Sequence, residues 1–426
     1  MTDSLLERRY RVLGRGAPLF YDEPLHLVRG EGVWVYDAQG RRYLDAYNNV
    51  PVVGHGHPRV VEAIARQSGT LNTHTRYLHE TVVQYADRLT ATFAGLVMVM
   101  FACTGSEAND LALRMARRFT GREGIICSNN AYHGNTEAVD ELATTFRAGR
   151  PGSARVRAIP YPDAYRPHRG LTGIALEDAY VDEVRSRVEE FQRNGLGLAG
   201  MLVCPVFANE GLPESPTGFL ARAAQVVREA GGLVIFDEVQ AGFGRTGHLW
   251  GHQPTGARPD IVTLGKPMGN GYPIAGVVAR GDIVDAFREE VMYFNTFAGS
   301  PVACAAATAV LDVIEEEGLV ARAREVGAAT TEGLRAMAMR HESIGDVRAK
   351  GAFWAVELVR DRVSKAPDAG RAKAVVEHMR RRGVLISRLG QYDNVLKIRP
   401  PLVFEAPHAQ ILLEALEHSM TRVENG

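Results

Sequence analysis

Two stretches of the sequence carry residues that could react with or hold a charged ligand. Lys266 follows an apolar run in DIVTLGKPMGNGYPIAGVV, and a lysine whose pKa is lowered by burial can attack a carbonyl and form a Schiff base. Asp237 ends the apolar run in GGLVIFDEVQ, where a carboxylate can hold a cationic partner, and Glu238 adds a second acid that packing alone would not favour. Lys266 and Asp237 together would suit an aldehyde that carries a positively charged ring.

A third stretch has the pattern of an anion-binding helix start. In ACTGSEANDLALRMARRF, Thr104 and Glu107 have the spacing of a capping box, which predicts a helix that begins near Ser106. The backbone N–H groups of Gly105 and Ser106, at the positive end of the helix dipole, would then favour a phosphate. The same pattern is typical of an ordinary core helix, so it indicates a phosphate site only together with other features.

A fourth stretch, SNNAYHGNT, follows a predicted strand. A loop at the carboxyl end of a strand in an α/β sheet is a common place for a ligand. Tyr132 and His133 could offer an aromatic face to a ring, although a surface turn would carry the same residues. Pyridoxal phosphate needs a lysine, a buried acid, an aromatic face and a phosphate site. The four stretches together therefore predict a site for this cofactor.

Two nucleotide-binding patterns are incomplete in this sequence. Gly242, Gly244 and Gly247 match the Gly-x-Gly-x-x-Gly pattern of dinucleotide sites. The turn-rich HLWGHQPTGARPD that follows is not helical, however, and the acids precede the glycines. A nicotinamide-dependent oxidoreductase is the hypothesis that depends on these glycines alone. A Walker phosphate loop is excluded because Pro267 follows Lys266, where that loop needs serine or threonine.

Short apolar runs alternate with helical patterns from about residue 58 onward. A helix is predicted over Phe219 to Ala230, where apolar residues repeat on one face and Gly231 and Gly232 follow. The alternation predicts a mostly parallel sheet covered by helices on both faces. The predicted strands are Gly124 to Cys127, Ala199 to Val206, Leu233 to Phe236, Ile261 to Leu264 and Ile274 to Ala279.

The predicted fold class is therefore α/β, with a large domain built on a mostly parallel central sheet and a smaller α+β domain. The run GVWVYDAQGRRYLDA predicts a hairpin in an N-terminal segment, residues 1–57, which would contribute to the small domain. Residues 58–305 would form the large cofactor-binding domain. Residues 306–426 would form the C-terminal small domain, joined by a long helix that starts after Pro301.

Composition argues against several other classes of protein. The chain has 426 residues, a formal net charge of -1, 46% hydrophobic and 23% charged residues, which fits a globular protein without a surface for nucleic acid or membrane. No run has the length of a transmembrane span and no signal peptide is recognised, so a cytoplasmic location is expected. His55 and His57 have no further ligands nearby and predict no metal site. The cysteines, which form no Cys-x-x-Cys pair, are expected to be free thiols: Cys103, Cys127, Cys204 and Cys304.

The ordered set TGSEANDLALR, AYHG, FDEVQAGFGRTG, LGKPMGNGYPIAGV and NTFAGSPVACAA resembles the class III pyridoxal-phosphate-dependent aminotransferases over nearly the whole chain. That family includes the ω-amino-acid and amine transaminases. The resemblance implies the fold of PLP-dependent transferases, of the aspartate-aminotransferase type. It also implies a homodimer whose active sites are shared between the subunits.

The resemblance implies a role for each matching residue. Lys266 would form the internal aldimine with the cofactor and then carry a proton between the substrate carbon and the cofactor. Asp237 would pair with the pyridine nitrogen and keep it protonated, while Tyr132 would stack on one face of the ring. The other implied cofactor contacts are Gly105 and Ser106 at the phosphate, His133 in the aromatic loop, Val239 on the second ring face, Gln240 near the ring hydroxyl, and Thr296, which would reach the phosphate of the neighbouring subunit.

Two positions depart from the family pattern. Cys204 stands where many relatives have a glutamate. In LKIRPPL, Lys397 stands where relatives that use amino acids carry an arginine for the substrate carboxylate, and Arg399 follows two residues later. Strand alternation places both side chains on one face, so either could contact a substrate anion.

The runs YNNVPVVGHGHP, LNTHTRYLHE and YFNTFAGSPV are similar to a branch of the family that contains phospho-lyases. In that branch Asn48 and Asn49 would lie near the substrate. The sequence predicts an aminotransferase that moves an amino group from an amine or amino acid to a keto acid such as pyruvate, with ping-pong kinetics. The alternative is a phospho-lyase that eliminates phosphate from phosphoethanolamine or a related amino phosphate and needs no acceptor.

Overall fold

The computed structural model describes residues 4–144 and 152–425. The strands of this part of the chain are β1 (Leu27–Glu31), β2 (Trp34–Asp37), β3 (Arg42–Asp45), β4 (Met98–Ala102), β5 (Gly124–Ser128), β6 (Val156–Ile159), β7 (Leu198–Val203), β8 (Leu233–Asp237), β9 (Ile261–Leu264), β10 (Ala275–Ala279), β11 (Ile344–Ala349), β12 (Trp354–Leu358), β13 (Val384–Leu385), β14 (Ser387–Leu389) and β15 (Val395–Ile398). The helices are α1 (Leu5–Leu13), α2 (Pro58–Thr70), α3 (Glu80–Thr90), α4 (Gly105–Thr120), α5 (Glu137–Asp140), α6 (Gly173–Arg193), α7 (Phe219–Glu229), α8 (Gly281–Glu290), α9 (Pro301–Glu316), α10 (Leu319–Ala338), α11 (Ala369–Arg381) and α12 (Ala406–Asn425).

The central sheet has seven strands in the order β4-β10-β9-β8-β7-β5-β6. β10 runs antiparallel to both of its neighbours, and the other pairs are parallel. The predicted α/β fold class with a mostly parallel sheet is therefore confirmed. The five central strands are fully buried, which is why their sequences are continuous apolar runs instead of alternating ones.

The five predicted strands and the predicted helix α7 are all present, with small differences at their ends. The largest difference is at β7, which was predicted to reach Val206 but ends at Val203. Pro205 has no N–H for a sheet hydrogen bond, so the apolar run continues where the strand does not. The edge strands β4 and β6 were not predicted. Both are partly exposed, so neither shows the full burial that made the central strands recognisable.

Two four-stranded sheets lie outside the central sheet, one in the order β1-β2-β3-β13 and one in the order β11-β12-β15-β14. The hairpin predicted around residues 37–40 is the antiparallel pair β2 and β3. β3 also pairs in parallel with β13, through Leu44 with Val384 and Asp45 with Leu385. This pairing is the kind of contact expected if residues 1–57 contribute to the small domain. The boundaries 1–57, 58–305 and 306–426 stay predictions.

The long helix α9 begins at the predicted place, with Pro301 as its first residue. The Ser300 hydroxyl accepts a hydrogen bond from the Ala303 N–H at 3.4 Å, and proline is well tolerated at this position because its missing N–H would have no partner there. Most of α9 is buried against α2 and α3. This packing places the loop before α9, which carries Thr296, beside the large core.

Within residues 4–144 and 152–425, no helix combines the length and the apolar character that crossing a bilayer demands. The same residues contain no group of three or more His, Cys, Asp and Glu arranged to hold a metal ion. His55 forms an isolated antiparallel bridge with Gly32, and its Nε2 atom is 2.7 Å from Oδ2 of the buried Asp45. His57 immediately precedes α2.

Candidate active site

Lys266 lies just beyond the end of β9, at the edge of the sheet where β8 also ends. Gly265 follows the strand, and Lys266 begins a single 3₁₀ turn, Lys266–Gly269. Lys266 has a φ of 30°, a left-handed value that residues other than glycine rarely adopt. A Cβ atom on Gly265 would lie 3.2 Å from both the N and the Cα atoms of Gly105. The backbone of this turn therefore packs closely against the start of α4, where a side chain would be crowded.

The environment of Lys266 combines access with a lowered pKa. Its side chain is exposed to solvent by accessible surface, although protein surrounds the amine densely on most sides. The protein atoms around the amine determine how much free energy its positive charge costs. The exposed surface of the residue determines whether a ligand can reach it. Burial lowers the pKa of Lys266, Arg399 lowers it further, and Asp237 and Cys204 act in the opposite direction. Protein therefore surrounds the amine enough to lower its pKa, as expected, while the residue keeps solvent-exposed surface through which a ligand can reach it.

Asp237 is the last residue of β8, and its buried carboxylate has several donors. Oδ2 accepts hydrogen bonds from His133 Nδ1 at 2.7 Å and from Asn109 Nδ2 at 3.0 Å. Oδ1 accepts one from the Val239 N–H at 2.9 Å. Burial acts to raise the pKa of Asp237, but the hydrogen bonds and the charges of His133 and Lys266 hold it below its ordinary value. This carboxylate stays ionised and can bind a cationic group.

Asn109 holds the Asp237 carboxylate in place and was not predicted. Its Nδ2 also donates to the backbone oxygen of His133 at 2.7 Å, and its Oδ1 accepts from Thr263 Oγ1 at 2.6 Å. The signal that could have revealed it is an asparagine on the apolar face of α4, since a fully buried amide needs hydrogen-bond partners. Asn109 thereby links α4, β9 and the loop after β5 to one carboxylate.

The neighbouring acid, Glu238, has a different role. Its side chain is fully buried, and its two oxygens accept hydrogen bonds from the backbone N–H groups of Gly251 and His252, each at 2.8 Å. His252 Nδ1 lies 2.7 Å from Glu238 Oε1. Glu238 therefore anchors the loop at residues 251–252, so the argument that neither acid serves the packing of the fold holds only for Asp237.

The start of α4 has the predicted capping box. Thr104 Oγ1 accepts from the Glu107 N–H, and Glu107 Oε2 accepts from the Thr104 N–H, both at 3.2 Å. Gly105 and Ser106 form the first turn, where backbone N–H groups have no partner inside the helix. They are available to an anion at the positive end of the helix dipole.

Close approaches bring three other segments against this helix start. A Cβ atom on Gly105 would lie 3.0 Å from Val239 Cγ2, and one on Gly134 would lie 2.5 Å from Ser106 Oγ. Ser106 Oγ also accepts a hydrogen bond from the Asn135 N–H at 3.2 Å. Val239, the loop after β5 and the turn at Lys266 therefore meet at one end of α4.

The aromatic loop places Tyr132 and His133 in different surroundings. The side chain of Tyr132 is 37% exposed, whereas His133 is 5% exposed. His133 Nε2 is buried and has no hydrogen-bond partner. The backbone oxygen of Tyr132 accepts a hydrogen bond from Asn209 Nδ2 at 3.0 Å. His133 thus acts beside Asp237, and only Tyr132 presents an accessible ring.

Gln240 connects the strand end of Asp237 to the predicted substrate residues. Its Oε1 accepts hydrogen bonds from Lys397 Nζ at 3.1 Å and from Arg399 Nη1, which confirms that both cations share one face of β15 and its extension. Its Nε2 donates to Asn209 Oδ1 at 3.0 Å. Lys397 and Arg399 are each only 5% exposed. The face predicted to contact a substrate anion is therefore a buried pair of cations.

Both cations remain incompletely paired. Burial lowers the pKa of Lys397 well below its ordinary value, and Arg399 and Lys266 lower it further. Burial also lowers the pKa of Arg399, whose Nε atom has no hydrogen-bond partner. Cys204 is buried nearby, and burial raises the pKa of its thiol. A neutral thiol at this position provides no carboxylate to offset the two cations.

A third buried cation, Arg245, adds to this positive region. Its Nη1 donates to the backbone oxygens of Ala352 and Pro400, while Nε and Nη2 have no partner. Burial and the charge of Arg399 lower the pKa of Arg245 to about 9, opposed by Asp45. Several cations with few ionised partners make this end of the site suited to an anion.

Asn48 and Asn49 lie on the loop after β3. Asp45, which is fully buried, accepts from the Asn48 backbone N–H at 2.9 Å and from Asn48 Nδ2 at 3.0 Å. Asn49 Nδ2 donates to the backbone oxygen of Gln240 at 3.4 Å, and Asn49 Oδ1 is buried without a partner. The structure therefore brings Asn49 to Gln240, while Asn48 stabilises its own loop. Tyr47, which was not predicted, lies with its ring 4.9 Å from the Arg399 guanidinium carbon.

Thr296 is exposed on the loop between α8 and α9. The preceding residue, Asn295, lies 3.5 Å from Glu107 Oε2 through its Nδ2 atom and 3.6 Å from the Cys103 sulfur through its Oδ1 atom. Thr296 is thus beside the capped start of α4 and faces outward. Its role toward a second subunit stays a prediction.

The glycines of the apparent dinucleotide pattern have structural roles in turns. No helix begins at Gly242, Gly244 or Gly247. Gly244 and Gly247 have φ values of 89° and 78°, and a Cβ atom on Gly247 would lie 2.3 Å from Arg324 Cγ. Glycine is required by these turns, and the context of a dinucleotide site is missing, as the sequence indicated.

The residues fit the predicted cofactor, pyridoxal phosphate. An accessible amine, an ionised carboxylate and a helix start with free N–H groups lie around the same sheet edge, at Lys266, Asp237 and Gly105. Gly105 and Gly265 leave no room for a Cβ between the helix start and the lysine turn, and the unpartnered Nε2 of His133 leaves a buried nitrogen beside Asp237. These features match the aldehyde, the ring nitrogen and the phosphate of this group.

Comparisons with known proteins cover nearly the whole chain. A family model described as "Aminotransferase class-III" matches residues 20–420. A Drosophila melanogaster protein named alanine–glyoxylate aminotransferase 2-like is 40% identical over 98% of this chain and 87% of its own length. A Caenorhabditis elegans protein named ethanolamine-phosphate phospho-lyase homolog 1 is 38% identical over 98% of this chain and 93% of its own length.

A solved structure is also similar over its full length. It is a phospholyase from Arthrobacter in complex with phosphoethanolamine, 46% identical, with a TM-score of 0.95 over 98% of this chain and 99% of that one. The relatives therefore carry two different reaction names on one fold.

Proposed function

Because this chain belongs to the class III aminotransferase family, we propose that it moves an amino group from an amine or amino acid to a keto acid such as pyruvate. The observation that carries this proposal is the position of Lys266, an accessible amine of lowered pKa between Asp237 and the cations Lys397 and Arg399. Its cofactor is pyridoxal 5′-phosphate, which when bound supplies a carbonyl carbon for an amine and a ring that withdraws electrons from the substrate carbon.

Lys266 is the base of the reaction. Its lowered pKa leaves a larger fraction of the amine unprotonated near neutral pH than an ordinary lysine has. The amine can therefore take the proton from the substrate carbon that bears the amino group. The same Nζ atom, once protonated, can deliver that proton to a neighbouring carbon, which completes the proton transfer of an aminotransferase.

Asp237 stays ionised and would bind the protonated ring nitrogen of the cofactor. Its three hydrogen bonds fix the direction in which the carboxylate points. Other residues would hold the ring and phosphate in place. They are Gly105 and Ser106 at the phosphate, Tyr132 and Val239 on the two ring faces, His133 beside Asp237, and Gln240 at the ring hydroxyl.

Lys397 and Arg399 bind the anionic group of the substrate. Both are buried, and both already donate to one oxygen of Gln240, which shows that they can converge on an acceptor. Asn48 and Asn49 would lie near the substrate on the loop after β3, where Asn49 already contacts the backbone oxygen of Gln240. A carboxylate or a phosphate on the amine would offset the buried positive charge.

A second candidate function is the elimination of phosphate from phosphoethanolamine or a related amino phosphate. Lys397 in the place of the usual arginine favours it, as does the 46% identical structure named as a phospholyase in complex with phosphoethanolamine. In that reaction Lys266 takes the same proton. The bond from the adjacent carbon to the phosphate oxygen then breaks, and phosphate leaves with the electron pair, so no keto acid is consumed.

We also propose a homodimer with shared active sites. Support comes from an exposed apolar patch formed by Tyr77, Leu78, Met292 and Phe297, of which Leu78 is 100% exposed. His74 and Phe294 are in ring contact at 5.5 Å and join its two segments. Such a patch next to Thr296 favours a second subunit that covers it and receives Thr296 at its phosphate site. Sedimentation should give twice the chain mass, and a monomeric active enzyme would reject the dimer.

A cytoplasmic location is proposed on the basis of the four free cysteines. A fluorescent fusion in the source cell would test it, because an exported protein would give its signal outside the cytoplasm.

The reaction is tested with purified holoenzyme. The protein should be yellow, and borohydride should bleach it and attach the cofactor covalently to the peptide that contains Lys266. An amine supplied with pyruvate should give alanine. Phosphoethanolamine supplied alone should give no phosphate if the enzyme is an aminotransferase. Release of phosphate without an acceptor would instead establish the second candidate, and a colourless protein that binds no pyridoxal phosphate would reject both.

A further inference from the structure

Gln240 is at the centre of a row of hydrogen-bonded side chains, which we call the amide chain. On one side its Nε2 donates to Asn209 Oδ1 at 3.0 Å, and Asn209 Nδ2 in turn donates to the backbone oxygen of Tyr132 at 3.0 Å. On the other side its Oε1 accepts from Lys397 Nζ and Arg399 Nη1. The chain therefore runs from the loop that carries Tyr132 to the buried cations.

The groups at the two ends of the amide chain determine which way the side-chain amides of Asn209 and Gln240 are turned. A backbone oxygen can only accept, so Asn209 must turn its NH₂ group toward Tyr132 and its oxygen toward Gln240. A guanidinium group can only donate, so Gln240 must turn its oxygen toward Arg399. A flipped Gln240 would place its NH₂ group against two cations and its oxygen against the oxygen of Asn209. Only one arrangement of the two amides satisfies all four hydrogen bonds.

We propose that Asn209 is a positioning residue that acts through Gln240 to hold Lys397 and Arg399 converged on one point, where they bind an anionic oxygen of the substrate. This inference rests on the proposed function and adds a residue that does not itself touch the substrate. Its backbone N–H donates to Glu210 Oε2 at 3.0 Å, so Asn209 is anchored independently of Gln240.

Lys397 and Arg399 have N–H groups without an acceptor, and these groups could bind an anion. Arg399 Nε is buried and has no partner, and the Lys397 amine has further N–H bonds beyond the one that Gln240 uses. Without this oxygen, Lys397 and Arg399 would lose the acceptor that both of them share. An oriented Gln240 oxygen keeps them together in the free enzyme, and a site held in its binding geometry loses less free energy on binding.

The test measures anion binding to holoenzyme, separately from activity. Titration calorimetry gives the Kd of inorganic phosphate and of propionate for the wild type and for two variants. Asn209→Leu removes both hydrogen bonds without adding charge. Asn209→Asp keeps the shape but cannot donate to the Tyr132 oxygen and adds a negative charge near the cations. We expect Asn209→Leu to raise the Kd by about 10-fold and Asn209→Asp by more.

Asn130→Gly is the matched control. Asn130 Nδ2 contacts the backbone oxygen of Asn209 at 3.5 Å but is not part of the amide chain, and its φ of 60° is one that glycine adopts readily. Its Kd values should stay within about twofold of the wild type. If Asn209→Leu does not fold, Asn209→Ala replaces it, because a smaller residue removes the same contacts without crowding the half-buried position.

Kinetics provide a second readout. A positioning role raises KM for the anionic substrate and leaves kcat nearly unchanged, so a fall in kcat at unchanged KM would overturn the inference, as would wild-type anion binding by Asn209→Leu. A larger loss for phosphate than for propionate indicates a phosphate-bearing substrate, and the reverse indicates a carboxylate. The anion measurement stands even if neither alanine nor phosphate is produced, so failure of the inference and failure of the proposed function are separate results.

Discussion

The two ends of the site differ in how completely their polar groups are paired. The acidic end consists of Asp237, His133, Asn109 and Thr263, and the basic end consists of Lys397, Arg399, Gln240, Asn49 and Arg245. At the acidic end, Asp237 accepts from three donors and Asn109 uses both ends of its amide, so among these four side chains only His133 Nε2 is buried without a partner. At the basic end, unpartnered buried atoms remain on Arg399, Asn49 and Arg245.

The difference separates two tasks within one site. A paired network fixes one carboxylate in one charge state, which suits a group that stays bound through every turnover. Buried cations with unused donors are costly to the folded protein, and an incoming anion can satisfy them. We infer that the acidic end is built for the cofactor and the basic end for a substrate that enters and leaves.

The largest change is expected from Lys266→Ala. Both ends of the site act on this residue, because the charge of Arg399 lowers its pKa and that of Asp237 raises it. The rate of amino transfer, or of phosphate release, should fall by at least about 10⁴-fold, since the only proposed base is lost. Mass spectrometry after borohydride should find no cofactor on the protein. Lys350→Ala, which removes a partly exposed lysine paired with Glu214, should leave the rate unchanged. A Lys266→Ala enzyme near the wild-type rate would show that another residue moves the proton.

Asp237→Asn tests the acidic end by removing its charge at constant shape. The rate should fall by about 10²- to 10³-fold because no ionised group would hold the ring nitrogen, and the visible absorption of the holoenzyme should shift. Glu238→Gln is the neighbouring control. It should lower the free energy of unfolding by about 2 kcal/mol through its buried loop contacts while leaving the rate of the folded enzyme near normal. If both variants lost only stability, the two acids would have the same structural role.

The same substitution at each end compares the two networks directly. Asn109→Ala should lower the free energy of unfolding by about 2–3 kcal/mol, because it leaves Thr263 and the His133 backbone oxygen without their partner. Asn49→Ala should cost only about 0.5–1 kcal/mol, since its amide makes one long hydrogen bond and its oxygen has none. Urea unfolding of the two variants measures the difference. Equal losses would mean that the basic end is as completely paired as the acidic end.

A small gain in stability is expected for Lys397→Met. Burial and the nearby cations lower the pKa of Lys397 in the folded protein, whereas the unfolded chain keeps a lysine pKa of about 10.4. Between these two values the unfolded state binds the extra proton, so wild-type stability rises with pH across that window. Lys397→Met should therefore be more stable by about 1 kcal/mol at neutral pH, with the advantage disappearing as pH approaches about 10.4.

Lys373→Met is the control for this titration, because Lys373 is half exposed and pairs with Asp22 at 2.9 Å. Unfolding of the three proteins from neutral to alkaline pH should show a pH-dependent gain for Lys397→Met alone. A constant difference across that range would mean that Lys397 keeps an ordinary pKa in the folded protein. The substrate KM of Lys397→Met should rise at the same time, which is the expected cost of the added stability.

The central strands and the residues at their ends could be predicted because they depend on local order. Each of the five central strands is a buried apolar run, and parallel strands end at a common edge. A residue just after such a run, as Asp237 and Lys266 are, must therefore come to that edge. The same local logic predicted the capping box at Thr104 and the shared face of Lys397 and Arg399.

Contacts between distant segments could not be predicted from the sequence. Glu238 follows Asp237 directly, yet it turns to the loop at residues 251–252, and nothing in the local pattern distinguishes the two acids. Asn209 and Asn109 are ordinary polar residues until Gln240, Tyr132 or Thr263 is placed beside them. The roles of Thr296 and Asn48 stay predictions for the same reason, because they depend on partners outside the contacts of one chain.

The family, the cofactor and the lysine could be inferred from the sequence, since they follow from an ordered set of local motifs. Tertiary structure alone decided that Lys266 is accessible, that Asp237 is held by Asn109 and His133, and that Gln240 turns its oxygen to two buried cations. The physical reason is that charge state and hydrogen-bond direction depend on every neighbour in space, and those neighbours come from segments far apart in the chain.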